Sequence, residues 1–156
     1  MTTKYAGSEI FQIAVELEIN GRKFYEELHS DVKDEQLQET FKFLADEELK
    51  HEKTFRSMMK TLDKEPDTGI YDDREMILYF NSLVDRSVFP SDKENMSELI
   101  DTGSIRDIVE RAITFEKNTI LFFSEMLNST RPEDHEVIQK IIEEERSHIH
   151  RLLKLL

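Results

Sequence analysis

The sequence contains no cysteine, which excludes disulfide bonds, thiolate metal sites and a thiol nucleophile at once. Glycine and proline are scarce, at four and three residues of 156, and a turn-rich β-fold needs more of both. No apolar run approaches the roughly 18 residues needed to span a bilayer. The stretch Met1-Thr2-Thr3-Lys4-Tyr5 leads into a segment carrying Glu9, Glu16 and Glu18, which lacks the apolar core of a signal peptide. Positive charge is also short: 21 Lys and Arg face 34 Asp and Glu, for a net charge of −13. Such a surface repels nucleic acid and anionic membranes, and it attracts cations. The expectation is a cytoplasmic protein with neither nucleic acid nor membrane as partner.

What is present is 38% hydrophobic and 35% charged residues, the balance of long amphipathic helices. The length suits a single domain over 1–156 with a substantial core. Apolar residues stepping by threes and fours predict helices at about 8–30, 35–62, 104–128 and 132–155. Ser8, Asp34 and the box-like Ser104-Ile105-Arg106-Asp107 are the candidate caps of the first three. Ser129 or Thr130, with Pro132 behind it, is the candidate for the fourth. Between about 63 and 103 the pattern loosens around the turn signals Pro66-Asp67-Thr68-Gly69 and Val88-Phe89-Pro90-Ser91. Met76, Ile77, Phe80, Leu83 and Val84 lie between them, so this segment reads as a long crossover carrying its own helix.

Two of the four seams are interrupted in the same way. Leu37, Phe41, Leu44, Glu48, His51, Phe55 and Met58 form one; Ile138, Ile141, Glu145, His148, Leu152 and Leu155 form the other. In each, a glutamate and a histidine one turn apart occupy positions that packing assigns to apolar residues. The other two helices carry Glu18 between Phe11 and Tyr25, and Glu116 between Val109 and Phe123, each at intervals of seven. A buried carboxylate without a partner costs several kcal/mol or takes up a proton, so these positions call for positive charge.

The chain is two copies of one hairpin. An offset of 98 places Ala14 on Ala112, Glu18 on Glu116, Asn20 on Asn118, Phe24 on Phe122 and Glu27 on Glu125. An offset of 97 places Glu47, Glu48 and His51 on Glu144, Glu145 and His148. The implied architecture is all-α: an antiparallel four-helix bundle of two repeated hairpins. Glu18 and Glu116 each precede their hairpin turn by about as many residues as Glu48 and Glu145 follow theirs, so at about 1.5 Å per residue all four carboxylates and both histidines share one level.

Glu-x-x-His alone is weak evidence, and Glu26-Glu27-Leu28-His29 is a third match that lies near a helix end without a counterpart in the second half. It reads as a solvated helix end. His135 and His150 read as solvent-facing, and Glu47 and Glu144, about 100° away from the ligands, as surface or supporting groups. For the six seam residues the competing explanation is a buried salt-bridge network, but no Lys or Arg shares their seam positions. Four carboxylates and two imidazoles neutralise two divalent ions, and Glu from two helices with Glu-x-x-His from the other two is the pattern of di-iron and di-manganese bundles. Oxygen and imidazole donors suit iron or manganese and also accept zinc. Tyr25, two turns from Glu18 on the same face, is placed to hydrogen-bond a ligand or donate an electron; its counterpart is Phe123.

These elements, Glu18-x-x-Gly21-x-x-Phe24-Tyr25, Glu47-Glu48-x-x-His51, Phe115-Glu116-Lys117 through Phe122-Phe123, and Glu144-Glu145-x-x-His148, resemble the rubrerythrin-like branch of the ferritin-like superfamily. The resemblance extends over nearly the whole chain, including Val88-Phe89-Pro90. It implies a ferritin-like fold, with Glu18, Glu48, His51, Glu116, Glu145 and His148 as ligands of two iron ions and Glu48 and Glu145 bridging. It also implies reduction of hydrogen peroxide or dioxygen. Full-length rubrerythrins carry a four-cysteine rubredoxin domain that feeds electrons to the iron, so this cysteine-free chain would need an external electron-donor protein. Rubrerythrins also place an extra glutamate on the third helix, where this chain has Ile113 and Thr119. The competing expectations are iron binding or storage of ferritin type without turnover, and a structural bundle holding a metal incidentally. Exposed seam edges lead to the expectation of a homodimer.

Overall fold

A computed structural model describes residues 6–63, 78–79, 82 and 104–156. The described chain forms four long helices: α1, Ala6–Asp31; α2, Glu35–Asp63; α3, Ile105–Met126; and α4, Pro132–Leu153. Of the expected crossover helix only Leu78, Tyr79 and Ser82 are among the described residues, and they are helical; the rest lies outside them.

Turn chemistry sets the ends of these helices. Asp34 caps α2 through its side chain, with Leu37 N–H donating to Oδ1 at 3.0 Å. Ser104 and Asp107 form a full capping box at α3, each side chain accepting from the other's backbone N–H. Two expected caps are not used. Helix α1 already begins at Ala6, which places Ser8 inside its first turn. At α4 the cap position belongs to Arg131, without a side-chain cap, because Thr130 donates its hydroxyl back to Met126 O at 2.8 Å and closes the end of α3 instead. The first hairpin is locked by Gln38 Nε2 donating to Val32 O and by His29 Nδ1 against Gln38 O, 2.9 Å. The third Glu-x-x-His match therefore serves a turn.

The apolar stripes meet in two clusters. One joins Ile10–Leu17 of α1 to Phe55 and Leu62 of α2, Phe115–Met126 of α3 and Ile138–Ile142 of α4. The other joins Phe24–Leu28 to Leu37–Ala45, Ile108–Ile113 and Leu152. Helices α1 and α4 thus run from the first cluster to the second, and α2 and α3 run the opposite way. The α2–α3 connection joins opposite ends of the bundle, and each hairpin is antiparallel. Helix α1 packs along α2 and α3 along α4, while α1 meets α3 and α2 meets α4. Burying each Leu, Ile or Phe stabilises the fold by about 1.5–3 kcal/mol. The two clusters together offset the cost of the polar layer between them.

A candidate di-metal centre between two apolar clusters

That layer is where the seam interruptions converge. Helix α1 supplies Glu18, α2 Glu48 and His51, α3 Glu116, and α4 Glu145 and His148; all six are buried, the four glutamates completely. Donor atoms of Glu18, Glu48, His51 and Glu145 lie within 4.8 Å of one another, as do those of Glu48, Glu116, Glu145 and His148. Glu48 and Glu145 belong to both sets. Glu145 reaches each ring with a different oxygen: Oε1 is 2.9 Å from His51 Nδ1 and Oε2 is 2.8 Å from His148 Nδ1. Glu18 lies 3.6 Å from His51 Nδ1, and Glu116 3.5 Å from His148 Nδ1. The two rings stack with centroids 5.8 Å apart.

These atoms are close but not satisfied. Both carboxylate oxygens of Glu18, Glu48 and Glu145, Glu116 Oε2 and both Nδ1 atoms lack a hydrogen-bond partner of proper geometry. Buried polar groups are ordinarily paired, so a converging set of orphaned oxygens and nitrogens points to a cation as the missing partner. No Lys or Arg is among the buried residues described, which removes the salt-bridge network. The residues fit two ions: four carboxylates balance four positive charges, and each set contains one imidazole.

Without metal, protons take that role. Burial opposes charge on His51, but short contacts to Glu145 and Glu18 outweigh it and push its pKa up to about 12. His148 is raised in the same way, against burial, by Glu116, Glu145 and Glu48. Two imidazolium ions cannot balance four carboxylates. Burial, with repulsion from Glu48 and Glu145, holds Glu18 well above the carboxylate range, and burial with the same two neighbours raises Glu116. Glu145 is also opposed by burial, but sits between both imidazoles and is lowered.

Tyr25 is fully buried and donates to Glu116 Oε1 at 2.5 Å. Burial and the charges of Glu116 and Glu48 raise its pKa, so its proton stays on the hydroxyl. Of the other histidines, His150 is exposed as expected, whereas His135 is half-buried with Nε2 3.1 Å from Thr130 O.

Three features of the site go beyond what pattern reading gives, which placed Glu47 and Glu144 only as surface or supporting groups. Glu144 reaches across from α4 to His51 Nε2 at 2.8 Å, while its repeat partner Glu47 pairs with Lys50. Thr119 is fully buried and its Oγ1 lacks a hydrogen-bond partner. Its repeat partner is Gly21, where a Cβ would sit 3.0 Å from the Phe115 ring and 3.3 Å from Glu48 Oε2. Gly21 therefore lets α1 approach α3 closely beside a ligand. The offset between the halves could have flagged positions 21 and 119, but not their surroundings.

Comparison with known proteins agrees with this geometry. A search of curated proteins found no match. Among solved structures, the chain is similar to a ferritin-like diiron-carboxylate protein from Thermotoga maritima, at 27% identity, covering 99% of this chain and 95% of that one with a TM-score of 0.69. The rubrerythrin family model matches residues 9–156. With a match over nearly its full length and a carboxylate–histidine layer in a ferritin-like bundle, the chain belongs to the rubrerythrin family.

Proposed function

We propose that this protein is a di-iron oxidoreductase that reduces hydrogen peroxide or dioxygen to water with electrons from an external donor protein. Glu18, Glu48, His51 and Glu145 would hold one iron, and Glu48, Glu116, Glu145 and His148 the other. The observation that carries the reading is the pair of donor sets sharing Glu48 and Glu145, fully buried between two apolar clusters. When bound, the iron pair supplies two one-electron steps and a place for the oxygen substrate. Peroxide reduction consumes two electrons and two protons and yields two waters; dioxygen reduction to two waters consumes four of each, so the donor must deliver electrons twice. Redox work favours iron over zinc among the metals this donor set accepts.

The chain's own residues perform four tasks. The anionic oxygens of Glu18, Glu48, Glu116 and Glu145 balance the charge of the metals. His51 and His148 present Nδ1 to the layer. The Tyr25 hydroxyl fixes Glu116 by donating to Oε1 and holds a proton within the buried layer. The apolar walls from Phe115, Phe122 and Ile141 on one side and Phe41, Leu44 and Ala112 on the other exclude water.

The test is anaerobic stopped-flow mixing of the iron-loaded, reduced protein with hydrogen peroxide. Oxidation is expected to be much faster than in Glu145→Ala and His148→Ala proteins given the same iron. Equal rates in all three would refute the proposal.

A further inference from the structure

The two halves of the site are not equivalent, and the difference lies on the far side of the imidazoles. Both rings turn Nδ1 toward the shared carboxylates, but their Nε2 atoms meet different surroundings. His51 Nε2 is 2.8 Å from Glu144 Oε2, across the α2–α4 interface. An ionised carboxylate only accepts, so Glu144 holds a proton on Nε2; a cation in the layer would displace the proton on Nδ1 and take up its lone pair. His148 Nε2 is buried and lacks a hydrogen-bond partner. The residue that the repeat provides for it is Glu47, and Glu47 pairs with Lys50 one turn along its own helix. Glu47 also has a donor atom within 4.8 Å of His51 and Glu144, so both extra glutamates gather on the His51 side. Beside His148 stands the Phe43 ring, nearly perpendicular to it with centroids 6.3 Å apart, and the Arg151 guanidinium lies over the Phe43 ring.

We propose that Glu144 is a positioning residue that makes the two metal positions unequal, so that the position formed by Glu18, Glu48, His51 and Glu145 fills first and binds more tightly. This rests on reading the six residues as a two-ion centre. A carboxylate behind a ligating histidine fixes its tautomer and ring orientation and raises its basicity, and losing it typically costs about 10–100-fold in metal affinity. His51 has that support, and His148 lacks it. Glu144 keeps 35% of its side chain exposed, so it joins the solvent-facing side of the bundle to the buried ring.

The test uses Mn(II) at one equivalent per chain, with anomalous scattering at the manganese edge locating it in crystals. Density is expected at the His51 position, with the His148 position filling at higher concentration. Glu144→Ala is expected to abolish this preference and to weaken the tighter step of a calorimetric Mn(II) titration by about 10–100-fold. Glu144→Gln keeps an acceptor oxygen and is expected to recover most of both effects. Equal filling of the two positions in the unaltered protein overturns the proposal, and so does an unchanged preference in Glu144→Ala. No Mn(II) at either position overturns the two-ion centre itself, and this proposal with it.

Discussion

Because Glu48 and Glu145 belong to both donor sets and Glu18 to only one, substitutions at these positions have unequal consequences for metal-dependent stability. Metal that binds only the folded chain stabilises it by about 2.7 kcal/mol per ion at a hundredfold excess over the dissociation constant. For a chain of this size each kcal/mol raises the melting temperature by about 2–4 °C, so one ion adds about 8 °C and two add about 16 °C. The unaltered protein is expected to show the larger shift on adding Mn(II). Glu18→Gln removes a ligand of one set and is expected to retain the single-ion shift. Glu145→Gln removes a ligand from both and is expected to lose nearly all of it. Each variant is compared with itself, melted with and without Mn(II), so any change in the metal-free protein cancels. Differential scanning calorimetry on the three proteins decides the matter. Equal shifts in Glu18→Gln and Glu145→Gln would refute the sharing of ligands, and no shift in the unaltered protein would refute the centre.

Stability of the metal-free protein follows from the direction of the same shifts. His51 has a folded pKa of about 12, above its unfolded value, so its contribution is complete below about pH 6.5 and disappears as pH rises toward 12. Glu18 and Glu116, also raised, act in the same sense, while Glu145, lowered, contributes above its unfolded value and loses that contribution in acid. Urea midpoints of the metal-free protein are therefore expected to fall between pH 7 and pH 10, and to fall much less with Mn(II) bound. A metal-free midpoint that rises over this range would contradict the assignment. Gly21→Ala sets two magnitudes against each other: helix propensity gains about 0.8–1 kcal/mol, and overpacking costs about 1–3 kcal/mol. The new Cβ would meet the buried Phe115 ring at 3.0 Å, so the expected result is a net loss of about 1 kcal/mol in urea unfolding, together with weaker Mn(II) binding through Glu48. A gain near 1 kcal/mol would show that Phe115 yields freely.

The four helices and the polar layer were legible in the chain because both rest on periodicity. A helix fixes the face and the height of every residue, so Glu48, His51, Glu145 and His148 standing in apolar seams had to meet inside a bundle. The repeat then supplied Glu18 and Glu116 at the same level. Capping was legible where it is local, as at Asp34 and Ser104, and misread where the candidate had a better use, as with Thr130 and Met126 O.

Periodicity and the repeat by themselves determined which six residues share the layer; the structure showed that two apolar clusters flank it. Tertiary structure alone decided that Glu144 serves His51 while Glu47 turns to Lys50, that Thr119 is buried with its hydroxyl unpaired, and that Gly21 admits Phe115. The physical reason is that rise and rotation are properties of one helix. Which neighbour a side chain meets across an interface depends on helix separation and crossing to within an ångström or so, and two repeats of one pattern resolve that choice differently.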